Sequence, residues 1–249
     1  MNAVEIRNLT VSYRENVALK GISLNIEEGT FLSVIGPNGA GKTTLLTAIN
    51  GLGRILSGTV KVFGMYMTPR NAVRIRKRIG YVPQNLSIDP RFPITVEEVV
   101  KLGRFGKVGL FRRLTKQDDD IVHHAMELTG VLELRDRPIG HLSGGEQQKV
   151  SLARVVAQQP ELMLLDEPTS NLDPKAQEEI VGLIDKIYNE NHITVVFVTH
   201  ILTHIPRSCR QVVLMKHGTL LWAGDIQQLD DKLLYELYDH PMGPLTINR

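Results

Sequence analysis

The chain has 249 residues, 42% hydrophobic and 22% charged, enough for one large core or a core carrying a subdomain. A formal net charge of +2 argues against a broad nucleic-acid footprint, and the single cysteine, Cys209, excludes an intrachain disulfide or a multi-cysteine metal site. The start lacks the apolar core of a signal peptide, and no apolar run approaches the roughly 20 residues of a membrane span. The expectation is a soluble, cytoplasmic protein that reaches a membrane only through a partner.

Short strands fill the opening third: "AVEIRNLTVSY" (3–13), "ALKGISLNI" (18–26), "TFLSVIG" (30–36) and "SGTVKVFG" (57–64). Their Gly- and Asn-rich breaks predict antiparallel pairing, except that "FLSVIG" runs straight into a glycine loop and a helix. The basic run "RNAVRIRKR" (70–78) reads as a solvated helix face. From Thr95 to about Gln159 the pattern is helical, with Ile121, Ala125, Leu128 and Leu132 on one face and "TKQD" (115–118) as a capping-box-like start. Strand and helix then alternate again: "ELMLLDE" (161–167) as a buried strand, a helix begun by Asp173 and Pro174, and "ITVVFVTH" (193–200) as another buried strand. "QVVLMKHGTLLWAGD" (211–225) predicts a hairpin. The whole is an α/β fold with a mainly parallel central sheet, an antiparallel β part and a helical insertion at about 90–160. A tail at 226–249, with an amphipathic "LLYELY" (233–238), either packs on the sheet or meets a partner.

"GPNGAGKT" (36–43) fits G-x-x-x-x-G-K-[ST] at every fixed position, after a predicted strand and before a predicted helix. The glycines let backbone N–H groups converge on phosphate oxygens where a Cβ would intrude, and the helix entrance adds partial positive charge. Lys42 reaches for the β- and γ-phosphates, and the Thr43 hydroxyl suits Mg²⁺. The pattern specifies a nucleoside triphosphate site. "LMLLDEP" (162–168) ends a buried strand in two carboxylates. Beside the phosphate loop, Asp166 would hold Mg²⁺ and Glu167 would polarise an attacking water as general base.

A second glycine-rich helix entrance, "LSGGEQQ" (142–148), has no place in a simple nucleotide pocket. "GPNGAGKTT", "LSGGEQQ", "LMLLDEP" and "TH" after a buried strand, in that order, resemble the motif set of ATP-binding cassette (ABC) ATPases, over roughly 4–225. The resemblance implies a P-loop NTPase that stacks head to tail with a second copy around two ATP molecules with Mg²⁺. Each ATP would lie between one subunit's Gly36, Pro37, Asn38, Gly39, Ala40, Gly41, Lys42, Thr43 and Thr44 and the other's Ser143, Gly144, Gly145 and Glu146. Glu146 departs from the more familiar Gln and leaves the glycines intact. Tyr13 resembles the aromatic that stacks on adenine, or is an ordinary strand aromatic. Gln84, in "GYVPQN" (80–85), resembles the glutamine that senses Mg²⁺ and the γ-phosphate. Asp173 resembles the loop that crosses the dimer seam and is also a good helix N-cap. His200 resembles the histidine that bonds the γ-phosphate; "HILTH" (200–204) lacks the glutamate of a zinc-protease pattern. His123 and His124 read as surface residues.

With no membrane segment, a transport role requires separate permease subunits, and through them a solute-binding protein. "FPITVEEVV" (92–100) and "GRFGKVGLFRR" (103–113) resemble the ATPases of manganese, zinc and iron importers. That implies an importer subunit seated peripherally on the inner face of the cell membrane. The alternatives are a soluble assembly ATPase or an exporter subunit.

Overall fold

The computed structural model describes residues 1–13, 16–84, 91, 93–109 and 112–239, and of Tyr13 and Asn16 only the backbone. Alternation in the opening segment makes β1 (Asn2–Tyr13), with Val4, Ile6, Leu9 and Val11 buried. It pairs antiparallel with β2 (Asn16–Glu27). β3 (Phe31–Ile35) departs for a second sheet, while β4 (Ile55–Val62) returns to β1 and β5 (Met65–Tyr66) extends β4. The first sheet therefore runs β2-β1-β4-β5, all antiparallel as predicted.

The second sheet adds β6 (Ile79–Val82), β7 (Leu162–Asp166), β8 (Thr194–Thr199), β9 (Gln211–Lys216) and β10 (Thr219–Asp225) in the order β10-β9-β3-β8-β7-β6. Every pairing in it is parallel except the β9–β10 hairpin. Both faces of its middle are covered, so β3, β7 and β8 are buried along their whole length. In β8, Val195 and Phe197 enter one core while Val196 and Val198 enter the other. β6 is a strand that the reading from sequence passed over. It has four residues behind a basic run, and its pairing with β7 supplies what its own pattern does not.

One core lies between this sheet, the antiparallel sheet, α1 (Lys42–Ile49) and α2 (Pro69–Arg76). The basic run is indeed a helix face: Arg70 and Arg74 are exposed and Ala72 and Ile75 buried. The other core joins the opposite sheet face to α3 (Val96–Val108), α4 (Lys116–Leu128), α5 (Gly144–Gln158), α6 (Pro174–Asn191) and α7 (Asp231–Tyr238). Helices α3–α5 fall between β6 and β7 yet share that core. Leu234 and Leu237 of α7 are buried in it, so this part of the tail packs with the sheet, and 240–249 lie outside the described residues.

The inward stripe of α4 is rotated slightly from the expected one. Val122, Ala125, Met126 and Leu128 are buried, and Ile121 and Leu132 only half-buried, because α3 and α5 together set which side faces in. His123 and His124 are exposed. Thr115 and Asp118 form the expected capping box. Asp118 also takes the guanidinium of Arg104 at 2.8 Å, and Arg104 donates to the Ala157 carbonyl at 3.0 Å. That buried pair ties α3 and α4 to the C-terminal end of α5.

Candidate active site

The buried strand β3 delivers the chain into the glycine loop, and α1 begins at Lys42. Gly39 (φ 80°) and Gly41 (φ 96°) lie in the left-handed region, where a Cβ is strained. A Cβ at Gly36 would collide with the carbonyl oxygen of Met215, so this glycine also lets the loop pack on β9. The first N–H groups of α1 have no intrahelical partner and form the donor end of the loop.

Lys42 is 5% exposed. Its ammonium donates to the carbonyls of Gly36 (2.8 Å) and Pro37 (3.1 Å) and lies 3.3 Å from Glu167 Oε1. Glu167 follows the end of β7 in a left-handed conformation (φ 45°), uncommon for a residue with a Cβ and a form of strain that gathers at functional sites. Its Oε2 accepts from Gln84 Nε2 at 3.0 Å and faces His200 Nδ1 at 3.1 Å. One buried carboxylate thus joins the phosphate loop, the second residue after β6 and the residue after β8. Such a carboxylate can orient a water and accept its proton.

Asp166 sits behind it, 1% exposed, accepting from Thr43 Oγ1 at 3.0 Å and Tyr81 OH at 3.3 Å. Burial pushes its carboxyl above the ordinary range, and the neighbouring Glu167 adds to this; the two hydroxyl donors and the Lys42 charge only partly offset it. A buried carboxylate short of compensating charge beside a threonine hydroxyl is an oxygen donor set that fits Mg²⁺. That ion is held by one or two protein oxygens plus substrate phosphates rather than by a protein cage. No group of three or more His, Cys, Asp or Glu among the described residues is arranged to hold a metal. His200 and His204 do not share a helix face: His204 lies in a 3₁₀ turn, and its Nδ1 is 3.0 Å from Thr169 Oγ1.

A cleft of about 670 Å³ brings together Asn38, Gly39, Ala40, Gly41, Lys42, Thr43, Thr44, Gln84, Glu167 and His200, while Gly36, Pro37 and Asp166 stand outside its lining. Sequence reasoning missed Ala18, Ser170, Asn171, Gln177 and Ile201 in its wall. Ser170 and Asn171 stand in the "SNLDP" segment (170–174), where attention to Asp173 alone hid them; Ala18 carries no signal of its own. Asp173 is the N-cap of α6, its Oδ1 accepting from the Ala176 N–H at 3.0 Å. The side chain of Tyr13 and residues 85–90, 92, 110 and 111 of the 85–113 segment lie outside the described residues.

The second glycine entrance is elsewhere. None of Ser143, Gly144, Gly145 or Glu146 lines the cleft; they form the exposed or half-exposed start of α5. A Cβ at Gly145 would lie 3.1 Å from that of Ala176, and one at Gly144 would lie 3.3 Å from Leu172 Cδ2. The glycines therefore let α5 and α6 start side by side as well as leaving N–H groups open. A glycine loop at a helix start, a carboxylate pair and a detached second glycine-rich helix start stand in one chain, and residues 19–170 match the ABC transporter family.

The chain belongs to the ABC transporter family. It is 39% identical over 220 residues to the manganese transport system ATP-binding protein MntB of Halalkalibacterium halodurans, covering 88% of this chain and 85% of that one. It is 36% identical over 219 residues to the high-affinity zinc uptake system ATP-binding protein ZnuC of Bacillus subtilis, covering 88% and 93%. Its fold matches the dimeric, post-hydrolysis ATP-binding cassette MJ0796 bound to ADP and Pi, with TM-score 0.78, 29% identity and coverage of 91% and 100%. This ABC protein is accordingly an ATP-binding cassette and an ATP hydrolase, with the P-loop α/β architecture expected from its sequence. No helix among its described residues is long and apolar enough to cross a membrane.

Proposed function

We propose that this chain is the ATPase subunit of an importer for metal ions or metal chelates, closing as a homodimer around two ATP to drive separate permease subunits from the inner face of the cell membrane. The observation that carries it is the split between the two anion-binding ends. The phosphate loop, Gln84, Glu167 and His200 share one cleft, while Ser143, Gly144 and Gly145 open outside it and need a second chain's nucleotide to serve. The dimeric cassette of like fold supports that arrangement, and the manganese and zinc systems of the two relatives support the cargo class.

In this reading Lys42 and the loop N–H groups hold the β- and γ-phosphates, and Tyr13 stacks on the base. Glu167 takes the proton of the attacking water, with Gln84 and His200 orienting it from the same carboxylate oxygen. Thr43 and Asp166, with Gln84 beside them, would hold Mg²⁺, which draws charge off the phosphate oxygens. Asp173 stands at the seam. Closure and reopening shift the permease between its two facing states, and a solute-binding protein feeds the outer side.

Glu167→Gln protein with saturating ATP tests the assembly, and light scattering should give twice the monomer mass. A monomer under those conditions contradicts the reading. Loss of radiolabelled manganese, zinc and iron uptake in a strain lacking the gene tests the cargo; unchanged uptake of all three sinks it.

A further inference from the structure

The start of α5 already holds an anion. Glu146 Oε2 accepts from the backbone N–H of Ser143 at 2.8 Å and from its hydroxyl at 2.7 Å, while the Glu146 N–H donates to Ser143 Oγ at 3.3 Å. The donations from Ser143 hold this carboxyl below the ordinary glutamate range, so it is charged at neutral pH. The cations that act on it are the side chains of Arg137 and Lys149, and Lys149 is already engaged by Glu179 at 2.6 Å. Of the donors a phosphate would use, the Gly144 and Gly145 N–H groups have no partner among the described residues, whereas the Ser143 hydroxyl is taken.

We propose that Glu146 sets the ATP threshold for closure, by holding the Ser143 hydroxyl and by neutralising the helix end that must receive a second chain's γ-phosphate. This rests on the two-chain reading above and adds a sign to it. A helix N-terminus carries roughly half a positive charge, and a resident carboxylate cancels much of it before the phosphate arrives. The incoming anion meets a compensated end and must compete for the one hydroxyl. A glutamine would close the same capping box without the charge. An aspartate would keep both, because Asp118 closes the equivalent box on Thr115 in α4 with bonds of 2.9 and 2.8 Å.

The test measures half-saturating ATP for dimer formation by light scattering, in the Glu167→Gln background, with Glu146→Gln or Glu146→Asp added. Glu146→Gln should lower it about twofold to fivefold, the range of a single charge at an exposed helix end. Glu146→Asp should not lower it. Thermal unfolding without nucleotide checks that the cap survives. An unmoved or raised threshold in Glu146→Gln, or an equal fall in Glu146→Asp, overturns the inference. A parent protein that stays monomeric at all ATP concentrations overturns the two-chain reading itself, and this inference falls with it.

Discussion

Lys42 Nζ lies 3.3 Å from Glu167 Oε1, while the other oxygen of the same carboxylate meets Gln84 and His200. The lysine belongs to the loop that grips phosphate and the glutamate to the strand end that would activate water. Their contact fixes where the two halves of the chemistry meet. Glu167→Gln keeps the size of the side chain and one of its two acceptor oxygens, and removes the base. Nucleotide binding should survive, and phosphate release should fall about 10²- to 10⁴-fold, the usual share of a general base. Turnover near wild type removes Glu167 from the mechanism.

Asp166 is expected to trade stability for function. Its carboxyl is raised in the fold, chiefly by burial, so above that value ionisation costs more in the folded chain than in the unfolded one. The cost is full at neutral pH and fades as pH falls through the raised value. Asp166→Asn should therefore stabilise the protein by about 1 kcal/mol at neutral pH, a gain that shrinks in acid, while hydrolysis is lost. Thermal unfolding against pH checks it; a destabilised Asn variant contradicts it.

The phosphate loop, the acidic strand end and both buried strands were legible because each is a local pattern with a local cause. So were three helix starts, since Thr115, Ser143 and Asp173 cap within three residues of themselves. What escaped were contacts between distant segments. Tyr81 reaches Asp166 across 85 positions, and Ala18 joins the cleft from the other sheet. No spacing rule encodes either. The rotated stripe of α4 has the same origin, because two neighbouring helices choose its inward side.

The C-terminal helix has a consequence for the site. Tyr238 OH donates to the carbonyl oxygen of His200 at 3.1 Å, and burial pushes that phenol up to about 12, so it stays a donor throughout the working range. Tyr238→Phe keeps the ring and loses the bond. We expect hydrolysis to fall about fivefold with unchanged ATP affinity, in proportion to one hydrogen bond of about 1 kcal/mol. A change in binding alone, or none at all, contradicts this positioning role.

The Arg104–Asp118 pair should show in acid titration. Asp118 is lowered to about 2, first by the Thr115 hydrogen bonds and then by Arg104. Its stabilisation is fully present above the ordinary aspartate value near 4 and is lost as pH falls toward 2. Asp118→Asn takes the carboxylate from a buried guanidinium, leaving it neutral partners at the Ala157 carbonyl and Gln159, and should cost about 3 kcal/mol at pH 7 in denaturant unfolding. The gap between variant and parent should close below pH 4. A gap independent of pH contradicts the assignment.

Cross-linking bears most directly on the two-chain grip. One preparation carries Asn38→Cys in the phosphate loop and another Ser143→Cys at the start of α5. Native Cys209 is buried with its thiol pushed up to about 11, so it stays silent toward a short bis-maleimide. Mixed with ATP and Mg²⁺, the two proteins should give a covalent dimer that is absent without nucleotide and absent from either preparation alone. No dimer at saturating ATP, while phosphate is still being released, would contradict a shared nucleotide.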